Sequence, residues 1–228
     1  AGLVIGSLQL SGFTSKLPMV LTSLAGGNVY VLLVLTAIVS VLLGLSLPTT
    51  VVYVTLAVLV GPALAQLGVV PIAAHLFLFY FGMLSLITPP DCLATYAAAA
   101  IAKSDFWKTG WTGMRLAIAA YIVPFVFVLH PALILQGTLE AIVTALVTAV
   151  IGVVLLAIGC AGYLFRPLGW FKRAWAVAAG LPLLVLPTHG AWVAGEIAGF
   201  ALGLALVLVE RAGSARTLLG ASAARPEP

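Results

Sequence analysis

The sequence predicts an all-α, polytopic integral membrane protein, and three observations predict it. Hydrophobic residues make up 63% of the chain and charged residues 7%, against about a quarter charged in an ordinary soluble domain. Mean hydropathy is +1.25. The apolar residues run in stretches of bilayer length, roughly 20 residues per crossing, and the short loops between them hold most of the basic residues. A net charge of +4 scattered over such loops offers no single face to a nucleic acid. Cys92 and Cys160 each lie in an apolar run, with no paired spacing and no histidine cluster. They read as small buried hydrophobes, not as a disulfide or metal site.

Residues 1–28 read as the end of a helix, stopped by Lys16-Leu17-Pro18, followed by a short apolar piece ending at Gly26-Gly27-Asn28. The run opens at Ala1 without a basic leader, so no signal peptide is expected. Residues 29–67 hold two apolar arms, each too short for an ordinary crossing. They are joined by Gly44-Leu45-Ser46-Leu47-Pro48-Thr49-Thr50, and the second arm carries Pro62. Two short arms with a Gly/Ser/Pro/Thr tip predict a re-entrant hairpin that enters the membrane, turns and leaves on the same side.

Residues 72–102 are long and apolar enough to cross, yet Thr88-Pro89-Pro90-Asp91 interrupts them. Each proline removes a backbone donor and clashes with the preceding turn, at about 3 kcal/mol in a helix interior. A carboxylate at mid-membrane depth adds roughly 2.5–3.5 kcal/mol. Irregular backbone at that depth is tolerated only inside protein or along a wet cavity. The segment is therefore a broken crossing and a candidate site.

Residues 112–165 give two ordinary spans, the first despite Pro124 and the second with Glu140 near its start, where a carboxylate suits the helix dipole. Residues 174–210 give two shorter spans divided by Pro187-Thr188-His189-Gly190, and residues 211–228 form a basic tail. The loops with Lys103, Lys108 and Arg115, and with Arg166, Lys172 and Arg173, are separated by two spans and so lie on one side. The positive-inside rule makes that side, and the carboxyl terminus, cytoplasmic. The hairpin then opens outward. His75 reads as a packing histidine, His189 as interfacial, and Gly195, Gly199 and Gly203 as a close helix contact. Glu196 is left without an assigned role.

The two breaks carry the same chemistry. Helix ends there aim partial charges into the membrane, which is how secondary transporters build ion and substrate sites. Backbone carbonyls and the hydroxyls of Ser46, Thr49, Thr50 and Thr88 suit a hard cation such as sodium. Half-helix amino ends suit an anionic substrate. Proline kinks and hydroxyls also serve as plain packing devices in membrane helices. Two other function classes are weighed against transport: an intramembrane enzyme using Asp91 or His75, for which no paired motif is present, and an assembly subunit, which would leave both breaks without a purpose.

The segments running from Gly44 to Tyr53, from Gly68 to Phe77, from Phe79 to Pro90, from Tyr121 to Phe125 and from His130 to Leu133 resemble the second half of the large permease subunit of tripartite ATP-independent periplasmic (TRAP) transporters. The fused permeases that work with TAXI-type binding proteins are the nearest in pattern. The resemblance runs over residues 1–135 and more loosely to 179. It implies an elevator-type sodium symporter in a bacterial or archaeal inner membrane, not an enzyme. The imported substrate would be an organic acid, such as a dicarboxylate, received from a periplasmic solute-binding protein. No cofactor beyond sodium is implied. The implied partners are the amino-terminal permease half, which this chain is expected to lack and without which it should not transport, and a small membrane subunit or its fused equivalent.

Carried over, Gly44, Ser46, Pro48, Thr49 and Thr50 at the tip, with Ile87, Thr88 and Pro89 in the unwound loop, hold one sodium. Thr49, Thr88, Pro90 and Asp91 touch substrate. At Asp91 the family pattern leads one to expect an apolar residue. Two readings of it stand: a coupling or specificity group, or a helix amino-terminal cap.

Overall fold

The computed structural model describes residues 3, 6–7, 10–45, 47–185 and 193–223, leaving aside the side chains at 14, 15, 193 and 212–223. All named elements among them are helical, with one isolated bridge between Tyr163 and Pro167. The chain divides into two compact units, Ala1–Gln136 and Gly137–Pro228.

In the first unit, α1 spans Phe13–Ala25. Lys16-Leu17-Pro18 does not stop it: Pro18 lies inside the helix, which ends where Gly26 and Gly27 both take left-handed backbone. Pro18 sits one turn in, so its ring costs the helix one early hydrogen bond, and the apolar run beyond it carries on. Helix α2, Val29–Gly44, starts on Asn28, whose Oδ1 accepts from the N–H groups of Tyr30 and Val31 at 2.9 and 3.4 Å. Helix α3, Thr49–Leu59, starts after Pro48. The second arm is not one run, because Val60 separates α3 from α4, Gly61–Gln66. Pro62 has no N–H for the Val58 carbonyl, and the ladder breaks there.

Helix α5, Pro71–Leu84, is the hub of this unit, packing against α2, α3, α4 and the later α8. Its Phe77 and Leu78 are fully buried with Leu32, Leu33, Val52, Leu56 and Leu64. A 3₁₀ turn, Ser85–Ile87, ends it, and α6, Leu93–Ala102, resumes after the Pro89–Pro90 pair, whose peptide bond is cis.

Helices α7, Phe106–Leu116, and α8, Ile118–Leu129, form one apolar stretch long enough to cross a membrane. It begins six positions before the expected boundary at Thr112. The Asp105 carboxylate accepts from the Lys108 N–H at 2.7 Å, and this cap starts the helix ahead of the apolar run. It ends at Leu129, since Pro131 disfavours helical backbone at His130. Three phenyl rings clamp α8 to α5: Phe125 stands edge-on to Phe77 and Phe81 at 5.1 and 5.5 Å between centroids.

In the second unit, α9 spans Leu139–Ala161, capped by the Thr138 hydroxyl, with Glu140 in its first turn. It is the second stretch long and apolar enough to cross. It stops at Gly162, short of the expected Phe165, because Gly162 is left-handed and a turn follows. Val143, Leu146, Val147, Val150 and Val154 form an exposed stripe on it at helical spacing, which only lipid or another protein surface would tolerate.

Helix α10 is Trp170–Val185 and α11 is Val193–Ala223. Gly199 brings α11 against the α10 backbone, where a Cβ would lie 2.8 Å from the Ala179 carbonyl oxygen, and Gly203 brings it against α9, where a Cβ would lie 2.7 Å from the Leu155 side chain. Those two glycines of the small-residue series do make the helix contact expected of them. The turn at 187–190, His189 included, lies outside the described residues.

Candidate functional site at two adjacent helix breaks

The carboxyl end of α2 reaches the 3₁₀ turn. A Cβ added to Gly44 would overlap Oγ and Cβ of Ser85 and would lie 3.4 Å from the Gly82 carbonyl oxygen. One turn on, Thr49 opens α3 beside Gly82, where a Cβ would meet the Thr49 methyl at 3.9 Å and Val52 at 3.5 Å. The glycine at 44 is what lets the end of α2 come this close, whereas a Cβ at 82 would make ordinary contact. The hairpin tip and the broken crossing therefore share one place in the first unit.

What they bring there is mostly oxygen. The last turn of α2 leaves carbonyls without helical partners. In the unwound loop, the Leu86 carbonyl would need the N–H of residue 89 or 90, and both are prolines. The Ile87 carbonyl loses its 3₁₀ partner for the same reason. Ser85 is buried and donates its hydroxyl proton to the Gly82 carbonyl at 2.7 Å. Thr88 is half-buried, and its Oγ1 lies 2.6 Å from both the Leu84 carbonyl oxygen and the Tyr121 phenol of α8. The Thr49 hydroxyl makes no hydrogen bond among the described residues.

The remaining expected residues divide. Pro48 and Thr50 are exposed at the start of α3, and Pro90 is exposed in the loop with its carbonyl accepting from the Tyr96 phenol at 2.7 Å. Ile87 and Pro89 are half-buried. Ser46 lies outside the described residues. Asp91 is not a helix cap: the residue before α6 is Cys92, no side chain caps that helix, and Asp91 uses its backbone carbonyl to accept from Leu93. The Asp91 carboxylate makes no hydrogen bond or ion pair among the described residues. Around it α7 packs tightly, since a Cβ on Gly110 would lie 2.9 Å from the Cys92 sulfur and 3.4 Å from Pro89.

Two residues of this constellation carried no signal as site residues in the sequence. Ser85 lies in the apolar half of the broken crossing, and Tyr121 lies 33 residues from its partner Thr88. His75 is exposed, yet it packs edge-on against Tyr53 of α3, with ring centroids 6.1 Å apart and Nδ1 3.2 Å from the phenol oxygen.

The family described as tripartite ATP-independent periplasmic transporter, DctM component, matches residues 1–142, which take in the whole first unit and every residue of both breaks. The chain belongs to the DctM family. No curated protein and no solved structure matches it. DctM proteins are membrane-integral transport permeases, in keeping with two apolar stretches of crossing length. Membership implies association with a periplasmic binding protein and a small membrane subunit.

Proposed function

We propose that this DctM permease imports an organic acid coupled to sodium, in the manner of TAXI-type systems, and that the paired helix breaks of the first unit are its ion and substrate site. The apposition of Gly44 and Ser85 supports this reading, because it sets two helix ends, where the regular carbonyl ladder stops, side by side. The hairpin formed by α2 with α3 and α4 is re-entrant and opens outward, and the unit moves as an elevator.

A hard cation prefers such oxygens. Carbonyls at Gly44, Ile87 and Pro89 and the hydroxyls of Thr49, Thr50, Ser46 and Thr88 would hold it, with Pro48 shaping the tip, since its own carbonyl already accepts from the N–H groups of Val51 and Val52. The Asp91 carboxylate adds negative potential nearby, which favours a cation and disfavours an anionic substrate until the cation is in place. That order of binding couples the two. Thr49 and Pro90 flank the helix ends at which a substrate carboxylate would be received, with free N–H groups at the start of α3. Sodium supplies the driving force, about 2.3 kcal/mol per charge for each 100 mV of membrane potential.

The experiment is uptake by proteoliposomes holding the full permease assembly with its binding protein. Thr88→Ala should raise the sodium concentration for half-maximal uptake while leaving expression intact. An unchanged sodium dependence overturns the role of Thr88, and uptake indifferent to sodium overturns the coupling.

A further inference from the structure

The hydrogen bonds at Thr88 have a fixed direction. A threonine hydroxyl has one proton to give and two lone pairs to accept with. Both of its neighbours, the Leu84 carbonyl oxygen and the Tyr121 phenol oxygen, lie at 2.6 Å. The carbonyl cannot donate, so the Thr88 proton goes to Leu84, and the phenol must give its own proton to Thr88 Oγ1. One lone pair of Oγ1 is then left over.

We infer that Tyr121 is a positioning residue for the cation site, its phenol O–H fixing the Thr88 hydroxyl so that a single defined lone pair of Oγ1 remains for the ion. This rests on the reading of Thr88 as a cation ligand. The rest of α8 is built to hold the phenol still. Tyr121 and Phe125 are four residues apart and share a helix face, and Phe125 is wedged against Phe77 and Phe81 of the same helix whose broken end carries Thr88. Without the phenol proton, the Thr88 hydroxyl keeps its bond to Leu84 but regains freedom in how its lone pairs point. A ligand that must be reoriented binds its ion more weakly.

Three variants of the full permease assembly test this in proteoliposomes, with apparent sodium affinity, substrate KM at saturating sodium and maximal rate each measured. Tyr121→Phe should weaken apparent sodium affinity roughly three- to tenfold, the range one such hydrogen bond spans, with substrate KM and maximal rate unchanged. In Thr88→Ala the same second change should add nothing. 4-Aminophenylalanine at position 121, which keeps an N–H donor on the ring, should restore the affinity. Should Tyr121→Phe not accumulate in the membrane, O-methyltyrosine, which keeps the oxygen and loses only its hydrogen, takes its place. If Thr88→Ala weakens sodium affinity and Tyr121→Phe does not, or if the effect of Tyr121→Phe persists undiminished in Thr88→Ala, the positioning role is overturned and the reading of Thr88 stands. If Thr88→Ala leaves sodium affinity unchanged, both fall. A merely structural tyrosine would lower the maximal rate or the amount of folded protein and leave the sodium curve where it was.

Discussion

Gly44 is the residue on which the site depends, because the approach of two helix ends requires the absence of a single carbon. With a Cβ there, either Ser85 or the end of α2 must give way, and overpacking of that kind costs typically 1–3 kcal/mol. Gly44→Ala should lower the Tm of the purified permease by several degrees. Ser85→Gly, which removes both overlapping atoms, should recover part of that loss in the double variant. Equal and independent losses in the two single variants, summing in the double, would mean that the two residues do not touch. Asp91 stands in contrast to Gly44. Its mid-helix carboxylate is the loudest single signal in the sequence, yet in the fold it neither caps nor pairs among the described residues. The quiet neighbours Ser85 and Tyr121 shape the surroundings of Thr88.

At the scale of the element, the clearest case is the attachment of α11. Glu210 is fully buried, accepts from Arg166 Nε at 2.5 Å and is bonded by the Lys172 ammonium. Removing the negative charge would leave two cations facing a buried neutral amide, and breaking a buried ion pair from one side is destabilising by about 3–5 kcal/mol. Glu210→Gln should therefore lower the Tm of the purified chain by several degrees, whereas Glu210→Asp, which keeps the charge, should lower it less. An unchanged Tm in Glu210→Gln would show that the cluster adds no stability.

The third basic residue of that loop, Arg173, reaches the carbonyls of Gly159 and Cys160 at 3.0 Å and so closes the end of α9. None of these partners was legible in the sequence, which marked the loop only as basic. Elements whose limits are set by local chemistry could be read: the Gly-Gly-Asn stop before α2, the Pro-bounded start of α5 and the break at Pro89-Pro90. Limits set by a cap ahead of the apolar run, as at Asp105, or by a proline carried within a helix, as at Pro18, were displaced. Thr49-Thr50-Val51-Val52-Tyr53-Val54-Thr55 is rich in β-branched residues, yet it forms α3. A helix keeps its backbone bonds within one segment, and where water is excluded that outweighs intrinsic preference.

At the scale of the whole molecule, the loops around Ser104 and Gly169 are separated by two stretches of crossing length, 106–129 and Leu139–Ala161, with Gln136 between those stretches. Two crossings would return the chain to the side it left. Lys103 is then expected on the same side as Arg166, Lys172 and Arg173, with Lys108 and Arg115 inside the first stretch itself, and the positive-inside rule predicts that this side is cytoplasmic. The proposed outward opening of the hairpin depends on this orientation. Single cysteines test it in a Cys92→Ala, Cys160→Ala background: Gln136→Cys, Ser104→Cys and Gly169→Cys, the last at a position with open space for a side chain. A membrane-impermeant maleimide applied to right-side-out vesicles should label position 136 and reach 104 and 169 only after permeabilisation. Labelling of 104 from outside would invert the chain and turn the hairpin toward the cytoplasm. Labelling of 104 and 169 on opposite sides would mean that one of the two stretches does not cross, and a periplasmic binding protein would then need a different face of the permease to deliver its acid.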